Sequence, residues 1–132
     1  MKRKKTQKQK LKEKADQIFS EYIRLKYSDW RGYCECYTCG KTAHYKDGMQ
    51  NGHFISRSSS TLRYSEDNCR TQCYACNCIK NGNYIVYTLK MIEEVGIEKV
   101  EELRELGKEL HQFTEKELQE IVDKYMQKIK DL

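Results

Sequence analysis

The feature that most constrains this 132-residue chain is the crowding of its seven cysteines into 45 consecutive residues. Four of them form two C-x-x-C pairs, Cys36 with Cys39 and Cys73 with Cys76, with 33 residues between the pairs. Two such knuckles supply the four thiolates of a tetrahedral structural zinc site, so we predict that these cysteines hold one Zn²⁺. Because only 38% of the residues are hydrophobic and 34% are charged, we expect a small core that a bound metal stabilises.

The three remaining cysteines are Cys34, Cys69 and Cys78, and Cys69 is an alternative ligand to one of the four. Disulfides are not expected, because the basic, polar residues after Met1 carry no secretory signal and thiols stay reduced inside cells. No stretch approaches the roughly 18 apolar residues of a membrane span. We therefore expect a cytoplasmic protein. A redox role is disfavoured, because there are two matched C-x-x-C pairs and no βαβ pattern.

Charge is distributed unevenly along the chain. Residues 1–92 carry 18 Lys and Arg against 8 Asp and Glu, whereas residues 93–132 carry 7 against 12. A basic body with a basic N-terminal tail indicates a polyanionic partner such as DNA or RNA. For the tail alone, the alternative is a solvated segment that aids solubility.

Hydrophobic periodicity predicts an α+β fold. Residues 1–10 are predicted to be a disordered basic arm, and residues 11–132 are predicted to form a single domain. That domain divides into an N-terminal helical segment (11–33), a cysteine-rich core with short strands (34–83) and C-terminal helices (84–132). Gly96 is predicted to end the first C-terminal helix, and Thr114 with Glu117 is predicted to form the capping box of the last.

A histidine and two asparagines accompany the second knuckle. His53 follows a glycine in a strand-like run, Asn68 lies fifteen residues further on, and Asn77 directly follows Cys76. A single histidine of this kind is more often structural than catalytic. Together, however, the three residues resemble the site of HNH nucleases, in which a histidine on a β-hairpin faces an Asn or His at the start of a helix across one divalent ion.

The resemblance is closer to one family. The segments GHFISR, LRYSEDNC and QCYACNCIKNGN, preceded by C-x-x-C-G, are similar to the phage NinG/Rap family of recombination endonucleases from about Cys36 to Asn83. This resemblance implies a small zinc-stapled ββα-metal core, similar to HNH and treble-clef folds, flanked by helices at both ends. It also implies a metal-dependent endonuclease that cuts branched recombination intermediates, such as Holliday junctions and D-loops, in the bacterial host of a phage.

The resemblance assigns a role to each matching residue. His53 would be the general base that takes a proton from the attacking water, and Asn68 would orient its ring by a hydrogen bond. Asn77 would be a ligand of a catalytic Mg²⁺ or Mn²⁺. Many HNH enzymes have an aspartate just before the histidine as a second ligand, where this chain has Gly52. Candidates for the missing ligand are Asp47, Asp67 and His44.

Four basic residues close to these positions in the sequence are predicted to contact DNA phosphates: Arg57, Arg63, Arg70 and Lys80. Two symmetric cuts at a junction would suit a homodimer, with the C-terminal helices either forming its interface or packing on the core. The alternative to a nuclease is a non-catalytic zinc-stabilised module that binds DNA or a protein. It explains the cysteines and the charge, but it leaves the histidine and the two asparagines unexplained.

Overall fold

The computed structural model describes residues 3–132, which form a mixed α+β fold as the sequence predicts. The helices and strands follow in the order α1 (Gln7–Lys26), β1 (Tyr33–Glu35), β2 (Thr42–His44), β3 (Met49–His53), β4 (Cys69–Cys73), α2 (Tyr84–Val95), α3 (Ile97–Leu106) and α4 (Glu115–Lys130). β1 pairs with β2 and β3 pairs with β4, each pair as an antiparallel two-stranded sheet. Within residues 3–132 no helix is both long and apolar enough to span a membrane.

The first helix begins earlier than the apolar periodicity predicts. The prediction of a disordered arm over residues 1–10 is wrong from Gln7 onward, because Thr6 and Gln9 form a reciprocal capping box. The Gln9 N–H donates to Thr6 Oγ1 at 3.1 Å, and the Thr6 N–H donates to Gln9 Oε1 at 2.8 Å. Such a box satisfies two backbone donors at a helix start without any apolar residue. Residues 1 and 2 lie outside the described part of the chain.

The last helix packs along the first. Ala15 and Phe19 of α1 are buried with Leu118, Val122 and Tyr125 of α4. Because the apolar face of α4 is used within the chain, this helix packs on the core, which was one of the two roles predicted for it.

A capping box starts α4, as the sequence predicts. The Glu117 N–H donates to Thr114 Oγ1 at 3.1 Å, and the Thr114 N–H donates to Glu117 Oε1 at 3.0 Å.

A single carboxylate ties this helix pair to the segment before β4. Glu66 accepts hydrogen bonds from the hydroxyls of Tyr22 (3.2 Å) and Tyr125 (3.1 Å), and it pairs with Lys128 (2.7 Å) and Lys26 (3.4 Å). Partial burial raises the pKa of this carboxyl, but Lys128, Tyr125 and Lys26 outweigh it and lower the pKa to about 2. The charged Glu66 therefore fixes where α1 and α4 sit relative to the β3–β4 hairpin.

The second and third helices cover the chain that follows β3. Their buried side chains form one apolar cluster with that segment, made of Phe54, Leu62, Tyr87, Met91, Val100 and Leu103. Gly96, with φ of +88°, separates α2 from α3, which confirms the predicted helix end. α3 ends at Leu106, earlier than the helical pattern to Phe113 indicates, and residues 107–114 form the connection to α4.

The chain after the β3–β4 hairpin differs from a simple ββα unit. Instead of a continuous helix, Ala75–Ile79 forms one turn of π-helix, and α2 begins only at Tyr84. Asn81, Gly82 and Asn83 all have positive φ values, which break the helix between the two segments. The predicted helix start at Asn77 is therefore the middle of a short π-turn.

Truncating the α1–α4 contact should destabilise the protein. Because Leu118 is fully buried, Leu118→Ala should lower the free energy of unfolding by about 2–5 kcal/mol, measured by urea denaturation. Leu110→Ala is the matched control, since Leu110 is 86% exposed, and it should change the free energy by less than about 0.5 kcal/mol. Similar losses for both variants would contradict the packing described.

Candidate metal centre and active-site cleft

The four cysteines of the two C-x-x-C pairs converge at one point. The Sγ atoms of Cys36, Cys39, Cys73 and Cys76 all lie within 4.8 Å of one another, and Cys39 Sγ is 3.7 Å from Cys73 Sγ. In a tetrahedral site with Zn–S bonds of about 2.3 Å, the sulfur atoms are roughly 3.8 Å apart. The donor set and its spacing therefore fit one zinc ion.

The surroundings of the cluster favour the thiolate of Cys36. Burial raises the pKa of Cys36, but the Thr38 hydroxyl and the backbone N–H groups of Cys73 and Cys39 act on its sulfur and lower the pKa to about 6. A backbone hydrogen bond from Lys41 lowers the pKa of Cys39, but burial and the neighbouring thiols outweigh it and raise this pKa to about 12, and burial raises the pKa of Cys73. Zinc binds the deprotonated thiol, so a bound Zn²⁺ would displace the protons of Cys39 and Cys73. The Gly40 N–H donates to the Cys36 carbonyl at 2.9 Å and closes the turn of the first knuckle, where Gly40 has φ of +81°.

The three other cysteines lie outside the cluster. Cys69 is fully buried in the apolar contact between α1 and α4, and burial raises its pKa. It is therefore an inert core residue and not the alternative zinc ligand. Cys34 is buried beside the cluster, and the exposed Cys78 donates from Sγ to Gln50 Oε1 at 3.2 Å.

A cleft of about 1000 Å³ opens beside the β3–β4 hairpin, against α1. His53 at the end of β3 and Asn77 on the π-turn both line it. Three residues of α1 also line the cleft, at four-residue intervals along the helix: Asp16, Ser20 and Arg24. His53 and Asn77, two of the three residues that resemble an HNH site, therefore line one cavity. Its opposite wall is formed by α1, which is not part of that resemblance.

The ring of His53 is held by a backbone carbonyl. His53 Nε2 lies 2.9 Å from the Arg63 carbonyl oxygen. Since a carbonyl only accepts, Nε2 carries the proton of the neutral ring, and Nδ1 is left as the acceptor. Burial lowers the pKa of His53 and the charges of Arg57 and Arg63 lower it further, which outweighs the opposing effects of the hydrogen bond to the Arg63 carbonyl and of Asp16. The imidazole is therefore neutral at pH 7 and able to accept a proton at Nδ1.

Asn68 does not make the predicted hydrogen bond to His53. Its side chain is fully buried, and the Ile55 N–H donates to its Oδ1 while its Nδ2 donates to the Ile55 carbonyl, both at 2.9 Å. The Phe54 N–H also donates to the Asn68 carbonyl, at 2.7 Å. Asn68 thus restrains the backbone immediately after His53. The hydrogen bond to the His53 ring, which was predicted for Asn68, is made by the Arg63 carbonyl.

The amide of Asn77 is fixed by a neighbour across the hairpin. Its Nδ2 donates to Gln50 Oε1 at 2.7 Å, which leaves Oδ1 as the free end of the amide. On β3, Asn51 also lines the cleft, and its buried Oδ1 has no hydrogen-bond partner among residues 3–132. Amide oxygens are hard donors of the kind that Mg²⁺ takes, so the free Oδ1 of Asn77 is a suitable donor for a divalent ion, whereas the buried Oδ1 of Asn51 is not exposed to one.

The carboxylate that many HNH enzymes have before the histidine could not fit here. A Cβ atom at Gly52 would lie 2.1 Å from Gln72 Oε1. Gln72 cannot easily move, because its Nε2 donates to Thr38 Oγ1 (3.1 Å) and to the Gly82 carbonyl (2.9 Å). Position 52 therefore faces a buried glutamine beside the four-cysteine cluster.

None of the three predicted replacements for that carboxylate lines the cleft. Asp47 is exposed in the turn before β3, and Asp67 pairs with Lys99 at 3.1 Å. His44 accepts at Nδ1 from the Lys46 N–H and packs against Tyr45. The carboxylate in the cleft is Asp16, which the sequence reasoning missed, and apart from the zinc cysteines residues 3–132 contain no convergent group of His, Cys, Asp or Glu.

The four basic residues predicted to contact DNA have different environments. Arg57 lines the cleft with 60% of its side chain exposed, and Arg63 lines it while bound to Asp16 through Nε (2.8 Å) and Nη2. Lys80 is exposed at the end of the π-turn. Arg70 has only 6% of its side chain exposed.

The predicted phosphate contact of Arg70 is therefore wrong. Its Nε and Nη2 donate to Glu94, at 3.3 and 2.6 Å, and its Nη1 donates to the carbonyls of Glu66, Asp67 and Cys69. These bonds use the whole guanidinium to tie β4 to α2. A buried charge of this kind persists because it is fully paired.

The zinc assignment can be tested with two neighbouring cysteines. Cys76→Ser should abolish the binding of one zinc per chain and unfold the core, because the thiolate shell is incomplete. Cys78→Ser should keep the zinc, since Cys78 is exposed and outside the cluster. Elemental analysis of the purified proteins and thermal unfolding would measure both effects. A full zinc content in Cys76→Ser would contradict the assignment.

The environment of His53 predicts its titration. Because burial and two arginines lower its pKa, the ring should titrate below the ordinary value of about 6.5, measured by NMR and assigned by comparison with His53→Gln. The unfolded chain then binds the proton more readily, so the stability that His53 contributes is present above about pH 6.5 and is lost as the pH falls through the folded pKa. A pKa above that ordinary value would contradict this environment.

Comparison with known proteins identifies the family. The profile described as "Bacteriophage Lambda NinG protein" matches residues 1–132. The chain is 33% identical over 119 residues to the protein ninG of Salmonella phage P22, covering 89% of this chain and 55% of that protein, and it is also 33% identical to the protein ninG of Escherichia phage 933W. Identity to the protein ninG of Escherichia phage lambda is 32%, again over 89% of this chain and 55% of the relative.

The chain spans little more than half the length of these relatives. No solved structure matches it. The match over the whole chain, together with the identity to proteins from several phages, shows that this chain belongs to the NinG family of phage lambda-like proteins.

Proposed function

We propose that this chain is a metal-dependent endonuclease that hydrolyses phosphodiester bonds in branched DNA, of the kind formed during recombination. The observation that carries the proposal is geometric. An imidazole whose Nε2 is held by a carbonyl, which leaves Nδ1 as its acceptor, lines the same cleft as Asn77 and two arginines, Arg24 and Arg57. This grouping supports a general base, an oxygen donor for a metal ion and positive charge for phosphates within one cavity.

His53 would act as the general base. Its Nδ1 would accept the proton of a water molecule attacking the phosphorus, which requires the neutral ring with its proton on Nε2. The Arg63 carbonyl favours that tautomer, and Asn68 restrains the backbone on the C-terminal side of His53. Both contacts reduce the motion of the ring, which supports a catalytic use of this histidine.

Asn77 would hold a catalytic Mg²⁺ or Mn²⁺ through its amide oxygen. Gln50 accepts the hydrogen bond of the Asn77 Nδ2, so the oxygen is the end that remains available. Asn51 also lines the cleft, but its Oδ1 is buried. When bound, such an ion would stabilise the negative charge on the scissile phosphate and the departing oxygen. Phosphate oxygens of the DNA can supply ligands that the protein lacks.

The arginines of the cleft would position the DNA backbone. Arg57 is exposed, and its Nη1 is 4.0 Å from Asp16 Oδ2, too far for a strong ion pair, so it can turn to a phosphate. Arg24 is anchored by its Nη1 to the Tyr45 carbonyl at 2.8 Å. Contacts of this kind orient a nucleic acid without reading its bases.

The choice of branched DNA rests on the family resemblance. The basic charge of residues 1–92 supports a polyanionic partner, and the basic residues of the cleft support a phosphodiester substrate. The zinc cluster would take no part in the chemistry, because its four thiols would complete the coordination of the ion and leave no open position.

Substitution of the base should separate cleavage from binding. His53→Ala should reduce the cleavage of a four-way junction in Mg²⁺ or Mn²⁺ by about 10²- to 10⁴-fold, whereas its affinity for the same junction without divalent ions should be unchanged. His111→Ala is the matched control, because His111 is exposed, its ring bonds to Glu117 and it does not line the cleft. Its cleavage rate should equal that of the wild type.

The assay needs a comparison of substrates and metals. Wild-type protein would be incubated with a four-way junction, a D-loop and linear duplex, with Mg²⁺, with Mn²⁺ and with no added divalent ion. Omitting the ion is a cleaner control than a strong chelator, which would also extract the zinc. Binding without cleavage under every condition would refute the nuclease and support the alternative, a zinc-stabilised DNA-binding module.

A further inference from the structure

Lysines continue the row of α1 that lines the cleft. Lys8 and Lys12 precede Asp16, Ser20 and Arg24 at four-residue intervals. With 3.6 residues per turn, Lys12 lies about 40° and Lys8 about 80° from Asp16 around the helix axis. Ser20 and Arg24 lie about 40° and 80° from Asp16 in the opposite sense, so Lys8 and Arg24 point about 160° apart. Lys8, Lys12 and Asp16, the α1 row, therefore run from the Asp16 end of the cleft to the basic end of the helix.

Two other lysines of the same helix face elsewhere. Lys10 and Lys14 lie about 120° and 160° from Asp16 around the axis, on the side that also carries the exposed Gln17. The basic end of α1 thus has one face continuous with Asp16 and another on the opposite side of the helix from Asp16.

The lysines in the N-terminal half of α1 form no ion pairs in the described part of the chain that would stabilise the fold. Lys8, Lys10, Lys12 and Lys14 form no ion pair with any of residues 3–132, whereas Lys5 pairs with Glu13 at 2.6 Å. Three of them are exposed and Lys8 is half-buried. The first turn of α1 contains no acidic residue, although cations near a helix N-terminus are unfavourable by about 0.3–1 kcal/mol. An anionic partner would relieve this repulsion.

We propose that the α1 row binds the phosphate backbone of a duplex arm of DNA, which it guides into the cleft. This inference rests on the proposed function, since it names the part of the substrate that α1 contacts. Residues 3–14 contain no aromatic side chain, so they offer no stacking surface for unpaired bases. Their single large apolar residue is Leu11, so they lack the apolar face of a membrane-binding helix.

The dimensions of the helix fit a short length of duplex. At 1.5 Å per residue, Lys8 lies about 12 Å along the axis from Asp16. That distance corresponds to roughly three to four base pairs at 3.4 Å each. Arg57, whose guanidinium approaches Asp16, lies beside the cleft end of the row. The α1 row would therefore contact the arm from the scissile position outward for less than one helical turn of DNA.

Two double variants of equal charge test this surface. Lys8→Gln with Lys12→Gln removes the cleft-side pair, and Lys10→Gln with Lys14→Gln removes the opposite pair. Glutamine is a good helix former, and far-UV circular dichroism would confirm equal helicity. Binding to a fluorescent duplex of roughly twelve base pairs without divalent ions should weaken about tenfold for the first variant and less than about threefold for the second.

Salt dependence sharpens the test. The cleft-side variant should lower the slope of log affinity against log salt by about 2, because each phosphate contact contributes about 0.9. Equal effects of both variants on the duplex would overturn the proposal. Weaker binding of the cleft-side variant to phosphatidylserine vesicles, with duplex binding unchanged, would overturn it in favour of a membrane surface.

The binding assay is independent of cleavage. If the cleft-side pair alone weakens duplex binding while the wild type never cleaves DNA, the surface stands and the proposed nuclease fails. If the wild type cleaves junctions and both double variants bind equally, the nuclease stands and the α1 row is not the surface for the arm.

Discussion

Four thiols from three parts of this chain meet at one point, where a bound metal ion would hold these parts together. Cys36 and Cys39 follow β1, Cys73 ends β4, and Cys76 lies in the π-turn. The two small sheets do not pair with each other, and without a metal four thiolates at this spacing would repel one another. Since Asn77 follows Cys76 directly, the same ion would also set the position of the cleft wall that carries this asparagine.

The opposite wall of the cleft depends on contacts that are distant in the sequence. α1 is held by α4 and by the carboxylate of Glu66, and Asp16 of α1 binds the guanidinium of Arg63 through two bonds. The carbonyl of that same arginine holds His53. The orientation of the imidazole is therefore coupled to the packing of the terminal helices, which gives these helices a role in the site beyond stabilising the core.

The site departs from the pattern of many HNH enzymes for a steric reason. Gln72 occupies the space beside Gly52 and is itself held by Thr38 and by the Gly82 carbonyl. A carboxylate before the histidine is therefore excluded by the packing next to the zinc cluster. The oxygen donors that remain in the cleft are amides and Asp16, so an ion bound there would depend more on the phosphates of its substrate than one held by two carboxylates.

Local patterns in the sequence are sufficient for several features, because short-range physics decides them. The spacing of the C-x-x-C pairs predicts the thiol cluster, the Thr114–Glu117 box predicts the start of α4, and Gly96 predicts the end of α2. Tertiary structure alone decides which polar groups face one another. Asn68 binds Ile55 and not His53, Arg70 is buried against Glu94, and Asp16 enters the cleft from a helix far earlier in the chain. A side chain binds whichever partner the packing of distant segments brings within about 3 Å, and no local pattern contains that information.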